Sequence, residues 1–276
     1  MIDQDLRNKL EVLAAKIRNK SLEMAFNAGK NGAHLGGALS LAEIFAILYG
    51  EILKINPINP KDTDRDRLIV SKGHGVLSYY AALSNAGFLS SEDLNAFETN
   101  GSLLHGHPTR NISLGIEFSG GSLGMGVSFA IGTALAGKLN NKSYHVFVIV
   151  GDGECNEGIV WEAFMSASHF KLDNLTVIID YNKLQYDGNV AAIMDMGQLK
   201  TKLESFGFSV IEVNGHYISE LYEGFQQFSE GMPSAIIANT IKGKGVSFME
   251  NKKEWHHGIL SKELYELALS EQPDLK

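Results

Sequence analysis

The chain has 276 residues, 44% of them apolar and 20% charged, which is enough for one large α/β domain with a real core. Its net charge of −8, with both signs mixed along the chain, argues against a nucleic-acid partner, which needs a basic face. No apolar run approaches the roughly 18 residues of a membrane span. The start, Met1-Ile2-Asp3-Gln4-Asp5, is unlike a signal or transit peptide. A single cysteine, Cys155, excludes an internal disulfide and fits a reducing cytoplasm.

Leu6, Leu10, Leu13 and Ile17 recur at helical spacing and predict an opening amphipathic helix, broken by the glycines of 29–37. Ser40-Leu41-Ala42-Glu43 reads as a capping box starting a second helix. Residues 56–66 form a polar loop, and Leu68-Ile69-Val70 is a short strand with Ser71-Lys72-Gly73-His74-Gly75 at its carboxyl end. A capped helix is expected over 91–99. The stretch 120–139 is apolar and rich in glycine, each costing about 1 kcal/mol inside a helix, so it should pack closely against a neighbour or ligand. Two apolar runs, 144–150 and 175–179, flank a predicted helix over 158–170, and further strands fall at 209–213 and 235–240. There is no internal repeat or linker, so residues 1–276 are read as one domain.

The runs at 144–150 and 175–179 with the helix between them are a β-α-β unit whose strands should be parallel and adjacent. Asp152, in Gly151-Asp152-Gly153, and Asn182, in Asp180-Tyr181-Asn182-Lys183-Leu184-Gln185, then emerge at the carboxyl ends of neighbouring strands, where open α/β sheets bind ligands. A carboxylate, an amide oxygen and a nearby backbone carbonyl are hard ligands suited to Mg²⁺ or Ca²⁺ shared with a phosphate. Gly151 and Gly153 let the backbone approach that phosphate. The bland alternative is an ordinary β-to-α turn; the pairing with Asn182 on the next strand weighs against it. His34, His74 and His107 sit in glycine-flanked loops rather than on helix faces, positions that put groups at the mouth of a sheet. Imidazole there can exchange protons with a bound ligand near neutral pH. His145, His169 and His216 read as structural, and Cys155 as space-filling.

Gly-Asp-Gly, Glu157-Gly158 and the later Asn182 resemble the thiamine diphosphate (TPP) signature. Ala33-His34-Leu35-Gly36-Gly37, Val70-Ser71-Lys72-Gly73-His74, Gly106-His107-Pro108 and Gly121-Ser122-Leu123-Gly124-Met125-Gly126 are similar to blocks of the transketolase family. So are Gly151-Asp152-Gly153-Glu154 and Ala167-Ser168-His169-Phe170-Lys171-Leu172-Asp173-Asn174-Leu175, and the blocks keep family order from residue 33 to about 258. The resemblance implies an α/β TPP-binding fold with a mostly parallel central sheet and helices on both faces. It implies that Asp152, Asn182 and the Leu184 carbonyl hold the metal, and that Gly153 and His74 contact the diphosphate. Gly121 and Leu123 would lie by the cofactor rings, and Glu157 at the interface linking paired sites. His34 and His257 would act on the donor C3 hydroxyl and His107 would bind the C1 hydroxyl; His257 is preferred to His256 because the family histidine directly precedes glycine. Leu35 stands where most of the family has proline, a departure that removes no chemical group.

Transketolases are usually more than twice this long, with a pyrimidine-binding domain and a third domain that this sequence lacks before its last residue, Lys276. The resemblance therefore implies the N-terminal subunit of a split, cytoplasmic transketolase. It would be inactive alone and would form an α2β2 complex with a C-terminal subunit, using TPP and Mg²⁺ (or Ca²⁺) to move a two-carbon ketol unit between sugar phosphates. Rivals are a subunit of a 1-deoxyxylulose 5-phosphate synthase-like or 2-oxo acid dehydrogenase α-like enzyme, and a non-catalytic TPP-binding regulatory subunit. The Gly-His-Pro and Ala-Ser-His-Phe blocks favour transketolase, and the retained metal ligands and histidines disfavour the regulatory reading.

Overall fold

The computed structural model describes residues 2–227 and 229–273; Met1 and Lys276 lie outside them. Helix α1 (Gln4–Asn27) opens the chain, capped by the Asp3 carboxylate, which accepts from the Asp5 and Leu6 amides at 3.1 and 3.2 Å. It buries Leu10 and Ile17 completely, with Leu6 and Leu13 packed at the margin, as the spacing predicts. Helices α2 (Gly36–Leu39) and α3 (Ala42–Ile47) follow, and here the expected capping box is absent. Ser40 closes α2 instead of opening α3, and its hydroxyl donates to Gly37 O at 3.2 Å and Asp180 Oδ2 at 2.8 Å. Glu43, the other half of the expected box, is buried against Arg18 and His216. Tertiary partners took both groups that the local pattern assigns to a cap.

Strand β1 (Arg67–Val70) leads into α4 (Val76–Asn85) and α5 (Ser91–Asn95). The expected helix over 91–99 stops early; Ser90 and Asp93 cap it reciprocally, but Glu98 adopts a φ of +57°, incompatible with continued α-helix. The glycine-rich stretch becomes helix α6 only from Met125 to Leu139, because Gly121 and Gly124 turn through φ of +129° and +80° first. Then come β2 (Val146–Gly151), α7 (Gly158–His169), β3 (Leu175–Tyr181), α8 (Val190–Met194) and α9 (Leu199–Ser205). Strand β4 (Ser209–Asn214), α10 (Ile218–Phe225), β5 (Ser234–Asn239) and α11 (Lys262–Ser270) complete the described chain.

The five strands form one parallel sheet in the order β1-β2-β3-β5-β4. Alternate side chains divide between two apolar layers. Ile69, Val148, Val177 and Ile237 pack with α6, α7 and α9; Phe147, Ile149, Ile178 and Ile236 pack with α1, α3, α4 and α10. Burial on both faces explains why β2 and β3 read as unbroken apolar runs rather than alternating ones. Register sets Gly151 opposite Asp180, so the loops after β1, β2, β3 and β5 open side by side at one edge.

The seat of α6 on that edge is tight. A Cβ at Gly126 would lie 2.6 Å from Cα, Cβ and Oγ of Ser71, and the Ser71 Cα, next after β1, cannot step aside without moving the end of that strand. Gly126→Ala should lower stability by about 1–3 kcal/mol, read as a fall in the urea midpoint at unchanged slope. An unaltered midpoint would mean that α6 can slide off the strand.

Candidate active site

The loops after β1, β2, β3 and β5, with the His34 and His256 segments, enclose a cavity of about 510 Å³, a size suited to a small ligand. His34, His74, Leu123, Asp152, Gly153, Glu157, Asn182 and Leu184 all line it. Asp152 follows β2; Oδ1 accepts from the Gly153 amide at 2.8 Å and Oδ2 accepts from the Lys183 amide. Asn182 follows β3; Oδ1 accepts from the Leu184 amide at 3.0 Å and Nδ2 donates to Asp180 Oδ2 at 3.0 Å. The Leu184 carbonyl accepts from Lys242 Nζ at 3.0 Å, so an ammonium already stands at one of the expected metal oxygens. Gly153 packs so closely on Gln185 that a Cβ would come within 2.9 Å of the Gln185 Cβ.

The histidines of this edge also converge. His34 lies 4.6 Å from His74, 5.3 Å from His107 and 4.7 Å from His257, ring centre to ring centre. The Ala33 and Gly258 backbones fasten their segments together with two hydrogen bonds of 2.9 and 3.0 Å. Gly32, at φ +67°, allows this, since a Cβ would meet Gly258 O at 2.8 Å. His256 lines the cavity as well, and accepts at Nδ1 from Lys242 Nζ at 2.9 Å. His107 and Gly121 sit just behind the lining: a Cβ at Gly121 would be 3.7 Å from the His107 ring. Glu157 is exposed at the rim, the N-cap of α7 without a side-chain cap bond. Leu35 is fully buried and anchors the His34 loop in the core.

Four groups that sequence reasoning did not single out hold this arrangement. Asp180, completely buried, accepts from Ser40 Oγ at 2.8 Å and Asn182 Nδ2 at 3.0 Å, and pairs with Lys72 Nζ and Thr240 Oγ1. Burial opposes its ionisation, but the Lys72 charge overrides this and holds its pKa below the ordinary carboxylate value. Glu154 Oε1 accepts from the Gly124 amide at 2.7 Å and from Ser71 Oγ, and Oε2 from the Gly151 amide at 3.0 Å, joining three loops. Lys242 is 2% exposed. Among the described residues no carboxylate pairs with it, and burial followed by repulsion from Lys72 lowers its pKa to about 8. Burial and neighbouring imidazoles lower His34 and His74 to about 3, so both are neutral at physiological pH. His216 belongs to the frame: it bridges Glu43 Oε2 at 3.0 Å and accepts from the Ile241 amide at 2.8 Å, steadying the segment that carries Lys242. Cys155 is buried and its thiol pKa is pushed up by burial, in keeping with a filler.

The charges say what is wanted here. A buried ammonium that no carboxylate pairs with among the described residues calls for an anion, and a carboxylate with two uncharged oxygen donors on the same cavity calls for a hard cation. Fold and site together define an α/β domain whose strand-end cavity offers oxygen donors to a hard cation and an ammonium to an anion. Residues 11–269 match the family description "Transketolase, thiamine diphosphate binding domain", and the chain belongs to the transketolase family. It is 39% identical over 264 residues to a subunit of the apulose-4-phosphate transketolase of Phocaeicola vulgatus, covering 95% of this chain and 93% of that one. It is 40% identical over 270 residues to the 6-deoxy-6-sulfo-D-fructose transketolase subunit SqwG of a Clostridium species, covering 97% and 96%. The solved transketolase of Campylobacter jejuni superposes with a TM-score of 0.88 at 33% identity, covering 97% of this chain and 42% of that one. The chain thus spans about two-fifths of the solved transketolases it matches. No described helix is long and apolar enough to cross a membrane.

Asp152 is costly to keep ionised. Burial, followed by the Asp180 charge, raises its pKa from 3.8 to about 6. A raised carboxylate pKa stabilises the fold most below the unfolded value, and that contribution is lost as pH rises through about 6. At pH 7 with metal chelated, Asp152→Asn should therefore raise stability by a net of about 1–2 kcal/mol, after subtracting one lost backbone bond. The gain should vanish near pH 4, and Mg²⁺ with TPP should no longer shift the melting curve. A variant less stable than wild type at pH 7 would contradict this.

Proposed function

We propose that this chain is the TPP-binding half of a two-chain transketolase, and that residues 1–276 form one domain of it. The observation that carries the reading is Lys242: a buried ammonium resting on the Leu184 carbonyl, beside Asp152 and Asn182 and without a carboxylate of its own among the described residues. Asp152, Asn182 and the Leu184 carbonyl would hold Mg²⁺ (or Ca²⁺). Lys242, His74 and the Gly153 backbone would hold the diphosphate, and Gly121 and Leu123 would lie against the cofactor rings. When bound, TPP supplies the nucleophilic carbon and the electron sink that cleavage beside a carbonyl needs.

The protein's own work is orientation and proton handling. Neutral His34 accepts the proton of the donor C3 hydroxyl as the C2–C3 bond breaks, with His257 beside it. His107 binds the C1 hydroxyl and so fixes which end of the ketose faces inward. The Asp180–Lys72 pair keeps Asn182 aimed without itself touching substrate. Glu157, exposed at the rim, links this site to the one in a second copy.

The pyrimidine pocket and the sugar-phosphate grip belong to a C-terminal subunit of comparable size, in an α2β2 complex of the cytoplasm. Two relatives named as transketolase subunits match this chain over nearly their whole length, which supports the division. Ketol transfer between sugar phosphates, as in pentose phosphate metabolism, is the activity. Purified alone, the chain should show no ketol transfer, and activity should appear when the partner is added. In the complex, His34→Ala should lower kcat/KM by about 10²–10⁴-fold. Robust turnover by the chain alone, or pyruvate serving in place of a ketose donor, would overturn the reading.

A further inference from the structure

The cavity holds two donor sets of different chemistry. The oxygen set, Asp152, Asn182 and the Leu184 carbonyl, suits a hard cation. Next to it, with Lys242 Nζ hydrogen-bonded to a member of each set, one nitrogen from each of His34, His74 and His256 lies within 4.8 Å of the other two. We propose that these three imidazoles form a second, inhibitory metal site for a borderline divalent ion such as Zn²⁺ or Co²⁺.

Three features of the geometry carry this. The rings stand steeply to one another and do not stack: His34 meets His74 at 66° and His256 at 84°, and His74 meets His256 at 66°, so modest ring rotations can bring one nitrogen of each to a common centre. The three residues come from separate turns, the His34 loop, the short helical turn after β1 and that at Lys253–His256, so each ring can rotate independently. Tetrahedral zinc with bonds of about 2.0–2.1 Å needs nitrogens roughly 3.3 Å apart, a closure of at most about 1.5 Å from the separation here. All three side chains are only partly buried and line a cavity open to solvent, so an ion can enter and a water can supply the fourth ligand.

The local charges decide how readily an ion enters. Lys242 donates to His256 Nδ1 at 2.9 Å, so an ion bound at that nitrogen displaces the ammonium, whereas one bound at Nε2 leaves it in place. Asp152 and Asp180, which face the same region, offset the Lys72 and Lys242 charges. Imidazole nitrogen also prefers the borderline transition metals to Mg²⁺, so the two sites sort ions by ligand chemistry. An ion held here takes up the lone pairs of His34 and His74 and so competes with cofactor and sugar. That competitive part rests on the roles proposed for those residues above; the binding does not.

The test begins with the full chain alone, titrated with Co²⁺ in saturating Mg²⁺. One equivalent should bind, with the visible ligand-field bands of a nitrogen-ligated, low-coordinate ion, and Zn²⁺ should displace it. His34→Ala, His74→Ala and His256→Ala should each weaken binding by roughly tenfold or more, at least the loss that removing an outer-shell partner causes. Asp152→Ala should leave the bands in place. Bands lost in Asp152→Ala but kept in the three histidine variants would overturn the site, as would no ordered Co²⁺ spectrum at all. In the assembled complex, Zn²⁺ should inhibit less as TPP is raised; inhibition indifferent to TPP overturns the competitive part. A complex without ketol transfer would sink the proposed function while the Co²⁺ titration still reads the site.

Discussion

Everything at the carboxyl edge of the sheet leans on one buried carboxylate. Asp180 ends β3 in full burial, and an isolated charge there would not survive. It survives because Lys72 arrives from the end of β1, Ser40 from the end of α2, Thr240 from beyond β5 and Asn182 from two residues on. Removing one partner of such a buried pair leaves an uncompensated charge and costs about 3–5 kcal/mol. The pair is thus less a source of net stability than a device that forces four segments into one arrangement. Asn182 is aimed by it, and Lys72 is fixed along the wall of the cavity.

Around that pair the site is electrostatically unfinished. Asp152 and Glu154 both have raised pKa values, chiefly from burial, while Lys242 is lowered for the same reason. Glu154 resolves its need internally, through three donors from three loops. Asp152 and Lys242 do not: each is held by backbone groups or imidazole, partners too weak to match a full charge. Local instability of this kind concentrates where ligand charges are meant to complete the set.

Short-range pattern made the strands and the strand-end loops legible. The apolar runs ending at Gly151 and near Asp180 sit in register as the β-α-β reading expects, and Asp152, Asn182 and Leu184 share one cavity wall. What local pattern could not show were partners far apart in sequence. Lys72 and Asp180 are 108 positions apart, and Ser40 and Asp180 are 140. Ser40 illustrates the failure: its hydroxyl obeyed a distant charge and not the adjacent helix. Lys242 was hidden in Ile241-Lys242-Gly243-Lys244-Gly245, which looks like an exposed basic turn, yet the Glu43–His216–Ile241 chain pulls it into the interior. Its one sequence signal was the bracketing glycine, since Gly243 at φ +77° packs directly on Met249.

On the proposed reading, the contact between Lys242 and the Leu184 carbonyl also ties the two halves of the ligand together. A divalent cation that takes this carbonyl must first displace the ammonium. The displaced ammonium, already buried, then needs an acceptor, and a diphosphate oxygen is a better one than imidazole. Conversely, a diphosphate that draws Lys242 away frees the carbonyl for the metal. Each ligand thus removes a cost from the other, and the coupling is reciprocal by thermodynamic necessity. Metal and diphosphate should bind together more tightly than either does alone, and the coupling resides in a single buried lysine that pairs with no carboxylate among the described residues.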